Sequence, residues 1–212
     1  MTTRRRLLIR WFGQDLETLL AGLGLQLRDG AIELASARIQ VESADHLAPD
    51  RPRLMVEELA EALAQAQDQA ADPDPDRRQN LALDLVAVGW ATVEFDRAAR
   101  DVGGAWQSAG DDRLLGASAW WSPEDHPATL LLEPNTEGRL AGALARYGEG
   151  PIALYLSVPD PARIGAARKA RPASGPLGEE WLYPGSNPAG PFLILVGGRP
   201  APANTNRVPS QP

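Results

Sequence analysis

Apolar residues recur along this chain in short runs separated by turn-forming positions, and two periods are visible. Leu16, Leu19, Leu20 and Leu23 follow the i, i+3, i+4, i+7 spacing, which predicts a helix over 15–23 ended by Gly22 and Gly24. Ahead of it, 7–11 reads as a strand. The β-branched, alternating stretch 32–41 predicts a strand or hairpin arm, as does 53–56. Met55, Leu59, Leu63 and Ala66 then line one side of a helix predicted over 55–71. The DPDPD run that follows ends it, because each proline removes a donor and restricts its neighbour.

A second block opens at Leu81. Residues 81–89 predict a buried strand, and Thr92 can cap a helix whose Phe95, Ala98, Ala99 and Val102 share a face before Gly103-Gly104 stops it. Strands are predicted over 114–122 and 129–133. Asn135 can cap a helix with Leu140, Leu144 and Tyr147 on one side, closed by Gly148. A strand over 152–158, a short helix over 162–170 and a strand over 192–196 complete the block. From Gly197 onward the Pro, Ala, Asn and Ser content predicts a disordered tail. The fold class expected is therefore α+β, divided into an N-terminal α+β extension (1–71), a linker (72–80), a main domain (81–198) and the tail (199–212). Within the main domain one order of elements occurs twice, which predicts paired βαβββ modules forming a curved mixed sheet.

Composition narrows the chemistry. The chain has 212 residues and no cysteine, which removes disulfides, thiolate metal sites and thiol nucleophiles. Net charge is −7 and arginine outnumbers lysine twenty to one. A general nucleic-acid surface is not expected, since phosphate repels such a field. No apolar run reaches the length of a membrane span, and the arginine-rich start precedes too short an apolar stretch for a signal peptide, so the expected location is cytoplasmic with no membrane partner. Arg4, Arg5, Arg6 and Arg10 read as a solvated chain start.

Residues 83–104 (LDLVAVGWATVEFDRAARDVGG), 129–135 (TLLLEPN), the joint 147–158 (YGEGPIALYLSV) and 190–196 (GPFLILV) together resemble the vicinal oxygen chelate superfamily of glyoxalases, extradiol dioxygenases, epimerases and bleomycin-resistance proteins. Enzymes of that family hold a divalent metal with side chains from both modules. The resemblance implies a histidine ligand where this chain has Leu85, another near Ala153, and a carboxylate that Glu133 matches. The last strand, 192–196, has no metal-binding side chain. One carboxylate cannot hold a catalytic metal, so no metal and no other cofactor is expected. Glu133 has two readings that stay open: a pocket residue contacting a ligand, or a strand-end carboxylate in water. The N-terminal region follows the same order of elements, with Glu57 of LMVEE (54–58) near the place of Glu133. It reads either as a degenerate extra module or as an appended extension.

Other chemistry is thin. His46 and His126 stand in loop-like contexts, and Asp72 to Asn80 fails the calcium-loop pattern. Asp111-Asp112 and Glu179-Glu180 sit beside turn residues and read as solvated surface rather than acid/base pairs. The aromatics stand out. Trp120 and Trp121 are adjacent in a strand and must point to opposite faces, while Trp90, Trp106, Trp181 and Tyr183 lie at strand ends or turns.

The functional expectation is a glyoxalase-like protein that binds or sequesters a small molecule without a catalytic metal. Its candidate ligand-binding residues are Glu133, Trp90, Trp120, Trp121, Tyr155, Trp181 and Tyr183. The rival readings are a metal-dependent lyase, dioxygenase or epimerase with a rearranged site, and a non-catalytic interaction scaffold. A homodimer is implied by the resemblance alone.

Overall fold

Two sheets account for the strands of the computed structural model, which describes residues 7–12, 16, 20–21, 23, 29–34, 36–42, 54–58, 83–122, 126–135, 137–183 and 190–197. The larger sheet has eight strands. Its first module runs β5 (Asp84–Ala91), helix α1 (Phe95–Val102), β6 (Gln107–Asp112), β7 (Ala117–Trp121) and β8 (Ala128–Pro134). Helix α2 (Arg139–Tyr147) connects it to a second module of β9 (Gly150–Val158), α3 (Pro161–Ala167), β10 (Pro172–Gly175), β11 (Gly178–Tyr183) and β12 (Phe192–Gly197). The strand order is β10-β11-β12-β9-β5-β8-β7-β6. In each module the opening strand pairs in parallel with the last (β5 with β8, β9 with β12), and the two opening strands pair antiparallel with each other. This is the tandem βαβββ arrangement that the order of elements in the sequence predicts.

Strongly twisted sheets curl, and this one nearly closes. The backbone N–H of Arg113, just past β6, donates to the carbonyl of Ser174 in β10 at 3.2 Å, joining the two edges. One face therefore becomes an interior, packed by Ala87, Ala91, Ala117, Ala119, Leu130, Leu132, Ala153, Tyr155, Phe192, Ile194 and Val196. Leu140, Ala143 and Tyr147 of α2 and Leu115 of the β6–β7 turn pack into the same core. Small residues alternate with large ones on this wall, and the packing is close: a Cβ added at Gly89 would come within 2.8 Å of Leu132 Cδ1 and 3.0 Å of Ala153 Cβ.

The second sheet comprises β1 (Leu7–Phe12), β2 (Ala31–Glu33), β3 (Ala37–Glu42) and β4 (Leu54–Glu58), in the order β2-β3-β1-β4. Leu16, Leu20 and Ala21 have helical backbone. Ile9, Trp11, Leu16, Leu20, Ile32, Ile39 and Leu54 pack on the outer face of the larger sheet, against Leu85, Val88, Leu154, Leu156, Leu193 and Leu195. A polar clamp marks the join: the Ser36 hydroxyl, with one hydrogen to donate, stands 2.5 Å from Asp84 Oδ1 and 2.8 Å from the Leu85 carbonyl.

The pairings decide what the N-terminal region is. β1 is parallel to β3, β3 is antiparallel to β2, and β1 is antiparallel to β4. Strand for strand this repeats β5, β8, β7 and β9 of the larger sheet. Among the described residues the N-terminal unit thus shows three strands of such a module, followed by an opening strand. Two expectations change. LMVEE does not correspond to TLLLEP, because it runs antiparallel to the opening strand where TLLLEP runs parallel, so Glu57 is not the counterpart of Glu133. Nor does a helix start at Met55, since 54–58 is a strand. The rest of that helix, the linker 72–80 and the tail 199–212 lie outside the described residues.

In the main domain four details differ from the pattern-based reading. β6 and the β10–β11 hairpin are additional strands; QSAGDD and PASG carry too little apolar alternation to announce themselves. Leu114 and Leu115 belong to a turn, not to β7. Helix α1 is capped at Glu94 rather than Thr92, and α2 at Gly138 rather than Asn135. Among the described residues no helix is long and apolar enough to cross a membrane.

The joint between modules is held by charge. Glu149 accepts from both the Thr92 hydroxyl (2.8 Å) and the Val93 N–H (2.7 Å), and Arg97 bridges its two oxygens at 2.5 and 2.6 Å. The Arg97 hydrogen bond, then those from Val93 and Thr92, lower its pKa to about 2. A depressed carboxylate contributes stability above its unfolded value that is lost as pH falls. The native chain should therefore lose stability from about pH 4.5 down to about pH 2 more steeply than Glu149→Gln, measured by urea unfolding across that range.

Candidate functional site

Strand alternation fixes which carboxylates enter the half-barrel. Asp111 and Asp112 are neighbours in β6, so one faces out and the other in. Asp111 is exposed and hydrogen-bonded to Ser118 and Asn135, while Asp112 is wholly buried. Glu179 and Glu180 divide in the same way on β11: Glu179 is exposed and Glu180 is wholly buried. The two adjacent acid pairs, expected at the solvated surface, each send one member inside. There they converge with Tyr155 of β9.

The geometry is specific. Asp112 Oδ1 accepts the backbone N–H groups of Leu114 and Leu115, each at 2.9 Å, closing the β6–β7 turn in the manner of an Asx turn. Its Oδ2 accepts the Tyr155 hydroxyl at 2.7 Å. Glu180 Oε1 accepts the N–H of Leu177 at 2.9 Å, in the β10–β11 turn. Glu180 Oε2 is buried without a hydrogen-bond partner. Gly175 is the residue that makes room, since a Cβ there would collide with the Glu180 carboxyl group.

Burial sets the protonation of this cluster. Removal from water, and then the neighbouring Asp112, raise the Glu180 pKa to about 8, so its carboxyl carries a proton at neutral pH. Asp112 is also raised by burial, against the opposing pull of Tyr155 and the two amides. Tyr155 is pushed well above its ordinary value by burial and by Asp112. A carboxylic acid poised near neutrality, beside a second buried carboxyl and a phenol, can donate or accept a proton and can pair with a charged or hydrogen-bonding group.

The seven candidate ligand-binding residues are not gathered on one face. Tyr155 and Trp121 belong to the interior. Trp181 and Tyr183 lie in the other core, beneath the N-terminal sheet and α3, with Arg168 5.4 Å from the Tyr183 ring. Trp90 and Glu133 are half-buried and belong to neither core. Trp120 stacks on Phe95 of α1 at 4.1 Å, and Trp106 meets the same ring edge-on at 6.5 Å. His126 is half-buried just ahead of β8, and His46 lies outside the described residues.

The position where the resemblance implies an imidazole is Leu85, which is wholly buried among N-terminal residues on the outer face. Among the described residues no three His, Cys, Asp or Glu side chains gather as a metal-holding group. The signal in the sequence for Asp112 and Glu180 is the one that separates Trp120 from Trp121, since adjacent residues in a strand point opposite ways; it is hidden because neither QSAGDD nor the PASG–GEEWLY hairpin has the apolar alternation of a strand.

No family model matches the sequence, and no curated protein matches it. Similar solved structures include a hypothetical protein from Bacillus halodurans C-125, at 18% identity and TM-score 0.43, covering 58% of this chain and 99% of that one. Another is a variant of Streptomyces coelicolor methylmalonyl-CoA epimerase in complex with 2-nitronate-propionyl-CoA, at 16% identity and TM-score 0.42, covering 53% and 95%. A mutant of 4-hydroxymandelate synthase from the same organism overlaps 91% of this chain and 69% of its own length, at 14% identity and TM-score 0.35. At these scores the overlap is partial, and the fold is defined by the strand pairings themselves.

Two outcomes test this account of the site. A carboxyl whose pKa is raised on folding destabilises the folded state as it ionises, so stability falls as pH rises from about 4.5 to about 8. Glu180→Gln should remove most of that decline, with a difference exceeding about 1.4 kcal/mol, the equivalent of one pKa unit, in denaturant titrations at pH 5 and pH 8.5. Leu85→His should lower stability by roughly 1–3 kcal/mol, because it buries an unpaired polar ring on the outer face. It should bring no zinc binding in calorimetric titration.

Proposed function

We propose that this chain binds or sequesters a small molecule inside the half-barrel, without a bound catalytic metal. The observation that carries the reading is the partnerless, buried Glu180 Oε2, set beside Asp112 and Tyr155 in an otherwise apolar interior. Small-molecule sites have this character: mostly apolar walls and a few polar groups that orient the ligand. Buried polar atoms are nearly always satisfied in folded proteins, and an exception calls for a partner. Trp121 and Tyr155 supply aromatic surface to the same interior.

Metal-dependent chemistry of the kind the resemblance implies finds little support in the donor set. Leu85 faces away from the interior, and Glu133 contributes to neither core. Asp112 has both oxygens engaged by N–H and O–H donors, which point their hydrogens where a cation would stand. The scaffold reading draws on the tight packing around Gly89, yet leaves the partnerless Glu180 oxygen without a purpose; Arg10 Nε on β1 and the Tyr183 hydroxyl in the outer core, also buried without a hydrogen-bond partner, lie outside the interior.

Metal analysis of the purified protein, paired with a thermal-shift screen, tests the proposal. The expected result is no stoichiometric divalent metal, no stabilisation by divalent ions, and stabilisation by at least one class of small polar molecule. A stoichiometric metal restores the enzyme reading. Failure of every small molecule to shift the melting temperature leaves the scaffold.

A further inference from the structure

We propose that the Asp112–Tyr155–Glu180 cluster is a binding site for a compact monocationic ammonium group, such as the head of a primary amine, admitted through the seam between β6 and β10. This rests on the binding reading above and names its ligand class.

The inventory of lone pairs selects the ligand. Both oxygens of Asp112 are engaged, by two amides and the Tyr155 hydroxyl, and Glu180 Oε1 is engaged by Leu177. The oxygen of the cluster with no partner is Glu180 Oε2, which is enclosed. A calcium ion needs six to eight oxygens and a zinc ion about four donors, so a single open oxygen serves neither. An ammonium group needs only one strong acceptor and a nearby negative field, and a charge-assisted N–H···O bond in a low-dielectric interior is correspondingly strong. An anion would meet two carboxyl groups and is disfavoured.

The cluster lies beside the joint between the sheet's two edges. Asp112 ends edge strand β6, and Glu180 leans on Gly175 of edge strand β10. The seam between these edges is marked by the Arg113–Ser174 backbone bond. The charged and titratable groups around the cluster are Asp112, Tyr155, Glu180 and, more distantly, Arg139, whose guanidinium bonds the Leu114 carbonyl. Proton balance follows. Glu180 enters the reaction as the neutral acid. The incoming ammonium donates an N–H to Oε2, the carboxyl proton leaves to solvent, and no covalent bond forms or breaks.

Titration calorimetry of the intact chain with methylammonium chloride, in two buffers of different ionisation heat, is the test. At pH 6.5 about one proton should be released per ion bound, and affinity should rise close to tenfold (~8-fold) by pH 7.5, the slope of a single linked proton. Glu180→Gln should weaken binding at least ~10-fold and release no proton, while Glu179→Gln, its exposed neighbour, should behave as the native chain. Binding without proton release, or undiminished by Glu180→Gln, overturns the assignment, as does the absence of binding. If methylammonium fails but a neutral or anionic small molecule stabilises the chain, this inference falls and the binding reading stands. If nothing of any charge stabilises it, both fall.

Discussion

The antiparallel pairing of β5 with β9 is the constraint on which the molecule is organised. These strands lie at the centre of the eight-stranded sheet and bury both of their faces. Leu85 and Val88 from one, with Leu154, Leu156 and Val158 from the other, point outward. Ala87, Ala91, Ala153 and Tyr155 point inward. Apart from Tyr155 these inward residues are alanines, because the inner face of a curled sheet has less room than the outer. An outer face of that apolar extent needs a cover, since burying each such side chain contributes roughly 1.5–3 kcal/mol. The N-terminal sheet provides it. A reduced copy of the module's own strand order thus serves as the lid on the full pair.

Closure of the half-barrel has an electrostatic consequence. Edge strands of an open sheet can place carboxylates on either face, in water. Once β6 and β10 meet, the inward member of each acidic pair loses its water, and its charge must be neutralised, paired or protonated. Asp112 recovers three hydrogen bonds through the turn amides and Tyr155. Glu180 recovers one, and burial holds its proton on to about pH 8. Glu149 at the module joint makes the opposite case with the same side chain. It meets Arg97 and two further donors at the surface and titrates near pH 2. Location and partners, rather than residue type, set the chemistry available to each.

The ion site that the resemblance implies and the interior cluster are also separated by topology. The resemblance places ligands on the opening and closing strands of the modules, where this chain has Leu85, Ala153, Glu133 and an apolar β12. The polar groups that do reach the interior come from the outer strands β6 and β11, together with Tyr155. The functional centre proposed here therefore sits across the half-barrel, at its seam.

Much of the main domain was legible in the sequence. The opening strand, α1, β8, α2, β9 and β12 each carry a strong hydrophobic period or a capping glycine, and local forces suffice to announce them. The strands QSAGDD and PASG were not legible, because they pair at the sheet edges with little apolar content of their own. Each is held by the next strand through a short hairpin, β6 by β7 and β10 by β11, and the apolar residues lie mostly on those partners. The place of LMVEE was likewise undecided, since parallel and antiparallel strands read alike until a partner is known. The site follows the same division. That the chain has no thiolate, few histidines and Leu85 where an imidazole is implied was written in its residues. That Asp112, Tyr155 and Glu180 meet, and that Trp181 and Tyr183 turn away from them, depended on which edge strands closed and which face each alternation presented. Those are long-range properties of the sheet, and no local pattern encodes them.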